Sequence, residues 1–183
     1  MRKVQLITSN LGKLREFRAA LEPLGYEVVH LPLEVEEVQA DTLEGVVVDC
    51  MRQIRDKKVK DFIIDDSGLF VDALKGFPGV YSSYVLKTLG CEGLLKLMKE
   101  VSVRSARFEC CIGCSLEGRK DIILTERCDG RIIEAMRGQG GFGFDPVFAA
   151  GGEERTFAEM PLAEKNLVSH RGKAIKSLAR QLR

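Results

Sequence analysis

Chemistry in this sequence concentrates where Asp65, Asp66 and Ser67 stand side by side, behind the apolar run Phe62 to Ile64 and ahead of Gly68. Adjacent carboxylates repel, and a cation or a proton relieves the cost. The pair is a candidate divalent-metal site or general base, although a solvated Asx turn would place the same residues together. Lys13 carries the opposite charge in an unusual place. It follows the loop Thr8-Ser9-Asn10 in the first turn of an amphipathic helix, where the macrodipole opposes a cation by about 0.3–1 kcal/mol. A bound anion would offset that cost, so Thr8 to Lys13 is a candidate phosphate seat, with a plain surface lysine as the simpler alternative. His170 and Arg171 repeat the arrangement behind Ser169. Two basic helix starts in a chain that also carries the acids suggest a polyanion held with its metal.

Two further stretches add candidates. Glu34, Glu36 and Glu37 form an acidic run that is either solvated or the source of a second metal ligand opposite Asp66. Gly138 to Gly143 holds four glycines in six residues, a composition that suits close approach of backbone to something else. It presents Phe142 and Phe144 beside Asp145, which would give a heteroaromatic base stacking surfaces and a hydrogen-bond acceptor; an irregular tip with core phenylalanines fits equally. The phosphate-binding pattern G-x-x-x-x-G-K-[ST] does not occur.

These residues need a frame. Val4 to Ile7 reads as a strand, Leu14, Phe17, Leu21 and Leu24 as the apolar stripe of a helix capped by Asn10, and Glu27 to Leu31 as a second strand. That is a βαβ unit. A capping box over Asp41 to Glu44 then opens a helix with Leu43, Val46, Val47, Cys50 and Ile54 on one face. The strand from Phe62 is expected to stop at the two acids and turn at Gly68. Helical patterns follow over Val80 to Leu89 and Glu92 to Glu100, broken near Gly90, and then a hairpin of Ala106 to Leu116 with Asp121 to Glu134. Ser169 caps a last helix with Ile175, Leu178, Ala179 and Leu182 buried, and Gly172 is expected to loosen that helix slightly. The expected class is α/β, with a mixed sheet extended into a second lobe and residues 1–183 forming one domain.

Composition narrows the class. Hydrophobic residues make up 45% and charged residues 30%, which is ordinary for a globular chain, and a net charge of +1 gives no grip on nucleic acid or an anionic membrane. No apolar run is long enough to span a bilayer, and the start lacks a signal-peptide core, so a cytoplasmic protein is expected. Of six cysteines, Cys110 and Cys114 fall on one strand face with Phe108, Ile112 and Leu116, which suits buried thiols better than a zinc site or disulfides.

In order and spacing the chain resembles the inosine/xanthosine triphosphate pyrophosphatase family. The segments are Thr8-Ser-Asn-x-x-Lys13-x-x-Glu16, Glu37-Val-Gln39, Asp65-Asp-Ser-Gly-Leu69 with Asp72, Pro78-Gly-Val-Tyr81, Gly141 to Phe148, Thr156 to Met160, Glu164-Lys-Asn166 and Ser169-His-Arg171. The resemblance implies an elongated central mixed sheet flanked by helices, two lobes with a substrate cleft between them, and a homodimer. It implies Mg²⁺-dependent hydrolysis of ITP, dITP or XTP to the monophosphate and pyrophosphate, cleansing the nucleotide pool. Thr8, Ser9, Asn10 and Lys13 would hold phosphates; Glu37 and Asp66 would bind Mg²⁺, with Asp66 also taking the proton of the attacking water and Ser67 assisting. Phe142, Gly143, Phe144, Asp145, Lys165, His170 and Arg171 would hold base and nucleotide, a donor from Lys165, His170 or Arg171 meeting the 6-oxo group that adenine lacks. Competing readings are a phosphatase releasing orthophosphate, an enzyme of modified pyrimidine triphosphates, and a nucleotide-binding module without turnover.

Overall fold

The computed structural model describes residues 2–183. Its sheet has seven strands: β1 (Arg2–Ile7), β2 (Tyr26–Leu31), β3 (Phe62–Val71), β4 (Pro78–Gly79), β5 (Ser105–Ser115), β6 (Ile122–Ile132) and β7 (Phe148–Ala150). They run in the order β2-β1-β3-β5-β6-β7, with β4 beside β3. β1 is parallel to β2 and to β3, whereas β4 on β3 and β7 on β6 are antiparallel, so the sheet is mixed. Six helices are described: α1 (Leu11–Leu21), α2 (Leu43–Asp56), α3 (Ser82–Thr88), α4 (Gly90–Leu97), α5 (Leu162–Val168) and α6 (His170–Leu182). The α/β class and the opening βαβ unit are as the periodicities imply.

The chain divides into two compact units, each assembled from separated segments. One takes the chain up to Asp66 with Cys110–Glu126 and Lys173–Arg183. Its core joins Leu6, Phe17, Leu21 and Ile63 to Cys110, Ile112, Leu178 and Leu182. Tyr26 fastens the last helix by donating its hydroxyl to Leu182 O, 3.1 Å away. The other unit takes Ser67–Glu109 and Arg127–Gly172, and its core gathers Leu69, Leu94, Met98, Phe108, Phe148 and Phe157. The chain passes from the first unit to the second inside β3, at the Asp66–Ser67 peptide.

Three local expectations are corrected. β3 does not stop at the acids but continues to Val71, and Gly68 lies within it. The demand for glycine there is steric, because a Cβ would sit 2.4 Å from the carbonyl oxygen of Gly79 on β4. At α2 the cap is Thr42, one residue later than expected. Its backbone is extended and its hydroxyl accepts from Gly45 N at 3.1 Å, so Glu44 falls inside the first turn rather than closing a capping box. Gly172 does not merely loosen α6. A Cβ there would lie 1.9 Å from Asn166 O, so the end of α5 packs against bare backbone.

All six cysteines are free and buried. Burial pushes the Cys114 thiol up to about 12, and Cys50 and Cys111 to about 11. The thiolate is therefore scarce at neutral pH. The native chain is expected to resist an aromatic disulfide reagent at pH 8 under conditions that label all six cysteines in guanidinium; rapid labelling of the native chain would contradict the burial. For Gly172→Ala, helix propensity alone forecasts a gain, whereas overpacking forecasts a loss of about 2 kcal/mol, or roughly 4–8 °C in Tm for a chain of this size. Calorimetry decides by the sign.

Candidate active site

The first cluster lies in the unit that contains the N-terminal segment. Parallel pairing of Ile7 with Ile64 sets the end of β1 level with the third residue of β3, so the next residues, Thr8 leaving the sheet and Asp65 continuing in β3, lie side by side. Past β1 the chain tightens into α1 through its own side chains. Thr8 Oγ1 accepts from Asn10 N at 3.0 Å, and Asn10 Oδ1 accepts from Gly12 N and Lys13 N at 2.8 and 3.3 Å. This is the Asn10 cap that the sequence implies. Lys13 then reaches across, its Nζ 3.1 Å from Asp65 Oδ2 and 3.1 Å from Asp65 O. The Asp65 side chain is wholly buried, and Cys110 Sγ donates to Oδ2 at 3.8 Å. Thus Lys13 is the cation that makes one of the two adjacent acids tolerable. Asp66, the neighbour in the strand, points to the opposite face and is half-buried.

Glu37 belongs to the same unit but to no regular element. It is exposed on the connection between β2 and α2. Gln53 of α2 and Lys57, the residue just after that helix, hold the connection. Gln53 accepts from Glu36 N at 2.9 Å and donates to Glu36 O at 2.7 Å, while Lys57 donates to Glu34 O at 2.9 Å. Sequence reasoning missed both, because their bonds run to main chain and leave no pattern of residue types. Glu37 and Asp66 converge electrostatically on one group. After burial itself, it is these two carboxylates and Asp49 that raise the Cys50 thiol. No group of three or more His, Cys, Asp and Glu among the described residues is placed to hold a metal alone. Two carboxylates fit a hard cation that takes its remaining oxygens from water and phosphate, and they do not fit a closed structural site.

The second cluster lies in the other unit, and the buried pair Lys165–Asp145 is its centre. Lys165 Nζ sits 2.6 Å from Asp145 Oδ2, and both side chains are only 4% exposed. The same oxygen accepts from Phe142 N at 2.8 Å. Gly141 must be glycine because its Cβ would fall 2.0 Å from that oxygen. Lys165 Nζ also stands 4.7 Å from the Phe142 ring centroid and 5.4 Å from that of Phe157. Arg171 lies 5.2 Å from the Phe142 ring and donates from Nη2 to Ser67 Oγ at 3.1 Å. Ser169 caps α6 as expected, accepting from Gly172 N at 3.1 Å, so His170 and Arg171 do occupy its first turn.

Several predicted roles shift with this geometry. Phe144 is a core residue at 3% exposure, since the 3₁₀ turn of Asp145–Val147 folds it inward; stacking by its ring is not supported, and Phe142 is the half-buried aromatic. The Asp145 carboxylate is already bonded to Lys165 and to the Phe142 amide. His170 stacks on Phe108 at 4.6 Å and 10° within the core. Gly143 O accepts from Cys91 Sγ at 3.5 Å. The close approach that the glycines permit is met in part by protein, since Cβ atoms at Gly138 and Gly140 would strike the backbone of Ala158. Thr8, Ser9, Asn10, Lys13, Glu37 and Asp66 share one unit; Ser67, Phe142, Gly143, Phe144, Asp145, Lys165, His170 and Arg171 share the other.

Residues 4–181 match the sequence model of the Ham1 family. A dITP/XTP pyrophosphatase of Thermococcus kodakarensis is 48% identical over 99% of this chain and 97% of its own length. Its counterpart from Pyrococcus horikoshii is 49% identical over 96% and 94%. Among solved structures, the Staphylococcus aureus Ham1 protein superposes with a TM-score of 0.86 at 29% identity, covering 99% of this chain and 98% of that one.

The Lys165–Asp145 pair yields a stability test. Removing one partner strands a buried charge, so Asp145→Asn and Lys165→Met are each expected to cost about 3–5 kcal/mol in urea unfolding. The double variant should cost no more than either single one. Strict additivity would mean that the two groups are not coupled.

Proposed function

The chain belongs to the Ham1 family, and from that premise we propose that it hydrolyses the deaminated purine nucleoside triphosphates ITP, dITP and XTP to the monophosphate and pyrophosphate. The observation that carries the reading is the Thr8–Lys13 helix start, which Lys13 ties to β3 at the main-chain oxygen of Asp65, one peptide before Asp66. A basic helix start collects phosphate oxygens through amides, hydroxyls and charge together. Thr8, Ser9, Asn10 and Lys13 take the phosphates in this reading, and the Asp66 carboxylate orients the attacking water and accepts its proton. Ser67 follows it in β3, its hydroxyl held by Arg171.

Glu37 and Asp66 would hold Mg²⁺, which when bound supplies neutralising charge to the phosphate oxygens. The base falls to the second cluster. Phe142 offers the aromatic surface, and the Lys165–Asp145 pair fixes the Phe142 amide and the loop around it. With Lys165 committed to Asp145, the donor for a 6-oxo group is Arg171, whose guanidinium lies beside Phe142. Hypoxanthine and xanthine accept there; adenine presents an amino donor and is opposed. We further propose that the enzyme works as a homodimer in the cytoplasm. Among the described residues no helix is long and apolar enough to cross a membrane.

Incubation with ITP, XTP, ATP and GTP, with Mg²⁺ or with EDTA, is the direct test. Pyrophosphate and the monophosphate are expected from ITP and XTP in Mg²⁺, with little turnover of ATP and none in EDTA; guanine shares the 6-oxo group, so little turnover of GTP would mean that its 2-amino group is shut out. Orthophosphate as the first product would point to a phosphatase. Tight ITP binding without product would leave a binding module and remove the role given to Asp66.

A further inference from the structure

β2 pairs Leu6 with His30 and Ile7 with Leu31, so His30 stands beside β1 near the point where that strand leaves the sheet. None of the segments that carry chemistry in the sequence includes it. Its ring nevertheless reaches the loop that follows β1, with Nε2 2.7 Å from Thr8 O. A carbonyl oxygen only accepts, so Nε2 bears the proton.

A trans peptide is planar, with C=O and N–H pointing opposite ways. Holding Thr8 C=O toward His30 therefore turns the Ser9 N–H to the other side. The amides of Asn10, Gly12 and Lys13 are taken by the Thr8 and Asn10 side chains. The amide of Ser9, an exposed residue, has no hydrogen bond among the described residues. We propose that His30 is a positioning residue for the phosphate seat: by anchoring Thr8 O it presents the Ser9 N–H to a phosphate oxygen of the substrate. This rests on the reading of Thr8 to Lys13 as that seat. His30 acts on the phosphate end and not on the base.

The test compares the enzyme with His30→Ala and His30→Gln, reading kcat and KM for ITP, the ITP-over-ATP ratio, Tm, and inhibition by inorganic tripolyphosphate. The last probe has phosphates and no base. His30→Ala should raise KM and the tripolyphosphate inhibition constant together, by roughly 5- to 10-fold for one ordinary hydrogen bond, with the base ratio unchanged. His30→Gln, whose side-chain amide can donate to the same carbonyl, should restore both. An unmoved inhibition constant in His30→Ala, an altered base ratio, or no rescue by His30→Gln at unchanged Tm would overturn the role. Lys13→Met is measured alongside. If it too leaves tripolyphosphate inhibition unmoved, the phosphate seat itself falls, and the role of His30 with it; if only His30→Ala is silent, the seat stands and the role of His30 is lost.

Discussion

A carboxylate with no exposed surface inside a β-strand is tolerable only with a cation against it, and Lys13 meets Asp65 in that way. Burying a charge alone would cost several kcal/mol. Here the ammonium meets both a carboxylate oxygen and the main-chain oxygen of the same residue. Because Lys13 sits in the first turn of α1 and Asp65 in β3, the bond ties the start of one element to the middle of another. The position of Asp66, one peptide further on and facing the other way, follows from that tie. At the same helix start the Asn10 cap holds the amides of Gly12 and Lys13.

The second unit solves the same problem with the same pair of residue types. Lys165 and Asp145 are buried together, and the carboxylate has a further bond to the Phe142 amide. The loop around Asp145 is glycine-rich because its chain wraps that carboxylate and the Ala158 backbone at distances that exclude a Cβ. Its glycines thus answer first to the protein's own polar groups.

Much of this was legible in residue types. The periodicities of α1, α2 and α6, the caps at Asn10 and Ser169, and the hairpin of β5 and β6 depend on local patterns that the chain writes openly. What was not legible depends on partners distant in the chain. Gly68 looked like a turn because nothing near it shows that Gly79 crosses there. Lys165 looked like a free donor because Asp145 stands twenty residues earlier. Phe144 and Phe142 differ only in which way a 3₁₀ turn points them. Gln53 and Lys57 act on main-chain atoms, which any residue supplies, so their targets leave no trace in the sequence.

The segment make-up of the first unit has a consequence for timing. Its core contains Leu6 and Phe17 from the beginning of the chain and Leu178 and Leu182 from the end, and the Tyr26 hydroxyl waits for the carbonyl of Leu182. During synthesis the strands that open the chain therefore emerge long before the helix that covers them. Until Lys173–Arg183 emerges, the core of this unit lacks Ala174, Ile175, Leu178 and Leu182, and the apolar surface left open there invites association with other chains. The order of emergence from the ribosome sets how long that exposure lasts.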